Sequence, residues 1–366
     1  MTAAGVPFVQ ASGDPFEAGY QHGVARGPAL RAFIDDRLGR IGALAPAPVT
    51  AASLRPELDA YAAAIAAAAP RLNEEIDGLA QGAGLPRELA VLLQVRRELI
   101  GFQRIPAHGD CTTYASLSAG PGGGPVLAQT VDLNGDLDDQ IAVLDISLAG
   151  APRRVLVLSF GGLLGYLGLN SDGLAIGLNL VLGGQWHPGL PPYLAIRHLL
   201  DNAGCVAEAL DILRGLPLAS SRSLTLCDPG RVACVEILGP EQRLVADGPA
   251  AAHTNHFLHP DFTARDELNV FARNSSVQRL KACEAGLAGF AAGGVPEHFG
   301  LLSQPPVCVG GTGDIRREKT VAGVVLLPDR GELHVRPGDP SRSATVTFSF
   351  GRPAGPGASG MTAARA

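Results

Sequence analysis

A chain of 366 residues, 46% hydrophobic and only 17% charged, has enough apolar material for a large core and excludes a disordered chain. A net charge of −6 argues against a nucleic-acid groove, which needs clustered Lys and Arg, and no apolar run reaches the roughly 18 residues of a membrane span. The six cysteines, Cys111, Cys205, Cys227, Cys234, Cys283 and Cys308, form neither a CxxC pair nor a zinc spacing, so reduced thiols in a cytoplasm are expected.

Met1 to Ala11 has no basic region followed by an apolar core, so no secretory signal is expected there, and residues 6–12 read as a short strand. Asp14 followed by Pro15 is a helix start, and the helix should run to about Leu38. His22 falls on that helix and reads as structural. Leu54, Leu58, Tyr61 and Ile65 recur at helical spacing across residues 51–70. Glu74 to Ala83 and Pro86 to Phe102 read as two further helices.

The pattern changes at His108-Gly109-Asp110-Cys111-Thr112-Thr113-Tyr114. From Cys111 onward, strands are expected at residues 112–117, 126–132, 141–148 and 154–160. Gly168 to Asn179 reads as strand, Ser171-Asp172-Gly173 turn, strand. Helices follow at about 191–203 and 206–214, strands at 222–228, 231–238 and 242–245, and a helix from Asn274 to Ala292. His253-Thr254-Asn255-His256 lies just past a strand. The last strands are expected at 320–327, 331–336 and 343–350, and a patternless Gly, Ala and Pro tail runs from Arg352 to Ala366. Alternating blocks of helices and strands with short loops give a layered α+β arrangement of largely antiparallel sheets.

No phosphate loop and no GxSxG elbow occurs, and Gly161-Gly162 and Gly310-Gly311-Thr312-Gly313 read as turns. Cys111 stands where helical sequence gives way to strands. Were the chain cut before it, its thiol would gain its own base: a free α-amine titrates at roughly 7.7–8.0, near working pH. Thr112 and Thr113 would offer hydroxyls beside it. The alternative is a buried cysteine that opens a strand. His253, His256 and His259 place three imidazoles within seven residues, which leaves a metal-dependent hydrolase as a further alternative.

Asp110-Cys111-Thr112-Thr113, Val131-Asp132 and His253-Thr254-Asn255-His256 together resemble the acyl-coenzyme A:isopenicillin N acyltransferase family, in the cysteine branch of the N-terminal nucleophile hydrolases. Gly13-Asp14-Pro15-Phe16-Glu17-Ala18-Gly19-Tyr20-Gln21-His22-Gly23, Gly168-Leu169-Asn170-Ser171-Asp172-Gly173 and Leu333-His334-Val335-Arg336-Pro337-Gly338-Asp339-Pro340 extend the resemblance, in the same order, over nearly the whole chain.

The resemblance implies a four-layer αββα sandwich and a precursor that cuts itself between Asp110 and Cys111. Residues 1–110 would then be a mostly helical pro-segment, 111–351 a catalytic domain headed by its nucleophile, and 352–366 a disordered tail. The two chains would stay associated and act on a small-molecule amide or acyl donor, without nucleic acid or membrane. It implies Cys111 as nucleophile, Asp132 as holder of the new ammonium and Asn255 as oxyanion donor. Asn179, Thr112, Thr113 and His253 are further candidates for that pocket. No metal and no cofactor is implied, and acyl-coenzyme A enters only as an acyl donor. Hydrolysis of a linear amide is the default outcome, since transfer needs a second binding site.

Two departures are visible. Asp110 stands where the family usually has Gly, which motivates an uncleaved binding or scaffold protein as the alternative. Val307-Cys308-Val309 stands where penicillin-specific members carry a Cys-Arg pair, with Arg316 and Arg317 a few residues on.

Overall fold

The computed structural model describes residues 5–101, 111–117, 124–289 and 293–353. Strand β1 (Phe8–Gly13) leads into helices α1 (Pro15–Asp35), α2 (Ile41–Leu44), α3 (Ala51–Ala68), α4 (Pro70–Ala83) and α5 (Arg87–Ile100). Strands β2 (Thr112–Leu117), β3 (Pro125–Leu133), β4 (Ile141–Leu148), β5 (Arg154–Phe160), β6 (Gly168–Asn170) and β7 (Ala175–Leu180) follow. Then come α6 (Pro192–Asn202), α7 (Val206–Leu213), β8 (Arg222–Cys227), β9 (Val232–Leu238), β10 (Glu241–Gly248) and β11 (Ala250–His253). The chain continues with α8 (Pro260–Thr263), α9 (Val270–Gly289), α10 (Val295–Leu302), β12 (Lys319–Leu327), β13 (Glu332–Pro337), β14 (Val346–Ser349) and β15 (Arg352–Pro353).

Two sheets face each other. One has the order β1-β4-β5-β6-β7-β8-β9-β10, the other β11-β2-β3-β12-β13-β14-β15. Helices α1 and α6 pack against the first and α9 and α10 against the second, which makes the αββα sandwich. Every residue of β3 is buried because the strand has a sheet on one face and helix on the other. Gln129 on β3 ties the layers together: its amide donates to Leu178 O (2.9 Å) and accepts from Leu178 N (3.1 Å) on β7. Among the described residues the named strands pair antiparallel except β1 with β4, so the N-terminal segment supplies an edge strand to the first sheet.

The helix at Pro15 starts as its sequence dictates. Asp14 accepts from Glu17 N (2.8 Å), and Glu17 returns a bond to Asp14 N (3.1 Å). Helices α1 and α4 meet through glycines. A Cβ on Gly19 would overlap the Glu75 carbonyl, one on Gly78 that of Phe16, and one on Gly82 that of Tyr20. The two backbones therefore touch with no side chain between them.

Some boundaries differ from the sequence reading. Strand β10 is longer than 242–245, since it runs along the edge of its sheet through a bulge between Leu244 and Ala246. The Ala-Ala-Ala-His strand β11 carries no β-branched residue to mark it. Helices α2, α8 and α10 are unread in the sequence, the first two being single turns. Arg352–Pro353 pair with β14 where the tail was expected to begin, and the rest of that tail lies outside the described residues.

His22, on α1, is fully buried, and burial holds its imidazole down at about 3 against an ordinary 6.5, with Arg26 and Arg197 pushing the same way. The folded pKa lies below the unfolded one. Between pH 6.5 and 3 the unfolded chain therefore binds a proton that the folded chain refuses, so stability falls as pH falls through 6.5. By pH 5 the loss reaches about 2 kcal/mol. Unfolding free energies from urea titrations at pH 7.5 and pH 5 should differ by that much more in the wild type than in His22→Leu.

Candidate active site

Strand β2 is flanked by β3 on one side and β11 on the other, and the two registers assemble the site. Thr112 pairs with Thr130, so Cys111 comes level with Val131 and Asp132. Thr113 pairs with His253, so Asn255, two residues past it, reaches Cys111 from the other side. Three residues far apart in sequence thus meet at one strand end.

On the β3 side, Cys111 N donates to Asp132 Oδ2 at 3.3 Å. The other oxygen, Oδ1, accepts from the Thr320 hydroxyl on β12 at 2.6 Å, and Thr320 Oγ1 accepts in turn from Val309 N at 2.8 Å. Both carboxylate oxygens are fixed, and Asp132 is fully buried.

On the β11 side the organising group is Arg279 of α9, itself fully buried. Its Nη1 donates to Cys111 O (2.7 Å) and Thr112 Oγ1 (2.9 Å), and its Nη2 donates to Asn255 Oδ1 (2.7 Å). Because Oδ1 accepts from a guanidinium, the Asn255 amide can face only one way, with Nδ2 as its donor end. Nδ2 donates to Leu180 O (2.9 Å), and Asn255 N donates to Ser276 Oγ (2.8 Å).

The Cys111 thiol is buried and lies 3.6 Å from the Tyr166 hydroxyl. Tyr166 is held by Tyr193, stacked at 5.0 Å, and by the edge of Phe160 at 5.3 Å. Cys111 has φ 75°, in the left-handed region that L-residues avoid.

A model of the family described as "Acyl-coenzyme A:6-aminopenicillanic acid acyl-transferase" matches residues 119–310. The chain belongs to this acyltransferase family. The "Acyl-coenzyme A:6-aminopenicillanic-acid-acyltransferase 40 kDa form" of Emericella nidulans is 26% identical over 360 residues, which cover 93% of this chain and 96% of that protein. The solved penicillin V acylase from Agrobacterium tumefaciens is 15% identical, with a TM-score of 0.43 over 66% of this chain and 92% of its own. The N-acylethanolamine-hydrolyzing acid amidase ortholog of Caenorhabditis elegans is 14% identical, with a TM-score of 0.43 over 65% and 99%. Membership of the acyltransferase family fits the two facing sheets between helix layers that carry this site.

The other residues singled out in the sequence distribute unevenly around this site. Asn179 is fully buried on β7, and neither atom of its amide has a hydrogen-bond partner among the described residues. A Cβ on Gly177 would point at Gln129 and Thr113 of the opposite sheet, so Asn179, two residues on, faces the same inter-sheet layer. Thr112 is engaged by Arg279, whereas the Thr113 hydroxyl is buried without a partner. His253 is committed elsewhere: Nε2 meets Glu236 Oε1 and Nδ1 meets Thr254 O, both at 2.8 Å. His256 pairs with Ser276 Oγ (2.8 Å) and His259 accepts from Asp261 N (3.2 Å), so the three imidazoles address three different partners. Burial, with the nearby His253, holds His256 down at about 4.

Asp110 lies outside the described residues. Val309 supports the site through Thr320, while Arg316 binds Asp314 at the surface. Arg279, Tyr166, Thr320 and Ser276 are absent from the sequence reading. A lone Arg on a helix reads as solvated, and only its complete burial beside Cys111 marks it otherwise.

Proposed function

We propose that the chain cuts itself before Cys111 and then hydrolyses a linear amide through an acyl-thioester on that residue. The observation that carries this reading is the convergence on Cys111 of Asp132 through the backbone nitrogen and of Asn255 through Arg279. In the first step Cys111 Sγ attacks the carbonyl carbon of Asp110. A C–S bond forms, the C–N bond breaks, and the freed nitrogen takes a proton. Water then hydrolyses the thioester to the Asp110 carboxylate and a free thiol.

The new α-amine stays against Asp132 and takes the thiol proton. The thiolate attacks the substrate carbonyl, and Asn255 Nδ2, joined by the buried amide of Asn179, donates to the oxyanion. The complex collapses by breaking the C–N bond, with the ammonium proton passing to the leaving amine. Water releases the acid, or a second amine accepts the acyl group. A thioester such as acyl-coenzyme A fits the same nucleophile as an acyl donor. The fragments remain together, supported by the six-residue pairing of β1 with β4. Among the described residues no helix is long and apolar enough to cross a membrane, and six unbonded cysteines fit a cytoplasmic protein.

Intact mass and N-terminal sequencing of purified protein should give two chains, the second starting at Cys111, and the preparation should release amine from a panel of linear amides. A chain still whole after long incubation overturns the reading. Asn255→Ala should lower kcat about 10²–10³-fold with KM little changed, as steady-state rates on any accepted amide will show.

A further inference from the structure

A cavity of about 40 Å³ lies beside Tyr166, the residue whose hydroxyl touches Cys111 Sγ. Phe33 and Leu133 are among the apolar side chains of its wall. Arg96 and Arg97 also line it, and among the described residues no Asp or Glu does.

Two buried donors here have no acceptor among the described residues. Arg96, on α5, is 9% exposed; its Nε donates to Gly39 O at 2.7 Å, but its Nη2 has no partner. Asn134, 4% exposed, follows β3 directly, two residues after Asp132, and its Nδ2 is likewise unpartnered. The two belong to one place: a Cβ on Gly135 would come within 2.5 Å of Arg96 Nη2. Burying a donor without an acceptor is costly, and burying a cation without a counter-charge more so. Arg197 and Arg222, buried still more deeply, each face a glutamate. Burial draws the Arg96 guanidinium down to about 10, with Arg97 acting in the same sense. A carboxylate would supply both missing acceptors and the missing charge. A water needs roughly 10–15 Å³ of such space, so the cavity has room for about three waters, or for a carboxylate and the carbon that bears it.

We propose that the substrate amide carries a carboxylate on a short arm, received by Arg96 and Asn134, so that the enzyme selects anionic amides over neutral ones. The inference rests on the reading of Cys111 as nucleophile, because it places the anion beside the thiol through Tyr166.

Two matched pairs test it on the purified, processed enzyme. Glutaryl anilide against pentanoyl anilide puts the charge on the acyl arm. N-butyrylglycine against N-ethylbutanamide puts it on the amine arm. In one pair the anionic member should have at least a tenfold higher kcat/KM, and Arg96→Gln and Asn134→Leu should each bring the ratio toward one. Asn134→Leu keeps the test valid if the arginine variant does not fold. Neutral members cleaved equally well in both pairs, or a preference that survives both substitutions, overturn the inference and leave the amidase reading intact. If the wild type cleaves none of the four, the amidase reading is what fails. Calorimetric titration with butanoate and butanamide then decides the anion site alone. Butanoate binding that is lost in Asn134→Leu or Arg96→Gln upholds the site, and equal binding of the two, or none, removes it.

Discussion

Cys111→Ala will leave one chain of 37.6 kDa and no measurable amide turnover, where the proposed self-cleavage gives two chains and an active enzyme in the wild type. The expected loss is at least about four orders of magnitude in kcat, because alanine has no atom to form either thioester, and the groups around a missing nucleophile cannot act in its place. The surroundings need not change. Cys111 is buried, its nitrogen is held by Asp132 and its carbonyl by Arg279, and both contacts use backbone atoms that alanine keeps. A folded but inert variant is therefore the expected product, and circular dichroism beside intact mass will show it. The left-handed φ of Cys111 adds a driving force. A non-glycine residue held there costs about 1–3 kcal/mol, and that torsion ceases to exist once the bond before Cys111 is broken. Asp110→Gly measures the other local influence on the cut, since it removes the carboxylate beside the scissile carbonyl.

Arg197→Met will cost about 3–5 kcal/mol of stability, a large share of what holds a domain folded. Arg197 of α6 makes paired bonds to Glu75 of α4, both 3.0 Å, and adds Asp201 at 3.1 Å and the Leu164 carbonyl at 3.1 Å. Neither side chain of the Arg197–Glu75 pair is more than 1% exposed. Burial raises the carboxyl of Glu75, and the arginine is the main force opposing that rise. Without it Glu75 becomes a buried acid that keeps its proton to higher pH in the folded chain than in the unfolded one. The folded state then binds more protons above the usual glutamate range, so the deficit of the variant must grow as pH rises. Denaturant midpoints at pH 5 and pH 8 will show this, and Glu75→Gln in the same background should recover part of the loss at pH 8.

Much of the site was legible because its parts sit at junctions between patterns. Cys111 stands where helical spacing ends, Asp132 at the end of an alternating run, and Asn255 inside a dense His-Thr-Asn-His cluster. The roles proposed for them rest on a family resemblance, and the strand register gives the physical reason they meet. Arg279 was illegible because nothing local separates a buried arginine from the solvated ones that most helices carry. Arg96 is hidden for the same reason, beside Arg97 on a helix where one basic face would pass as surface. Strand β11 escaped because alanines carry no strand preference; it exists because β2 offers it an edge.

The glycine contact between α1 and α4 bears on how tolerance to substitution would be read in this protein. At Gly19, Gly78 and Gly82 even a methyl group meets the carbonyl of the facing helix. Such a contact cannot relax by a rotamer change, because no side chain takes part in it, and only a separation of the helices would make room. In a saturation screen these three positions would be as intolerant as Cys111, although they touch no substrate and move no proton. A second readout divides the two classes: the glycine variants should vanish from the soluble fraction, while Cys111→Ala accumulates there as an uncut chain.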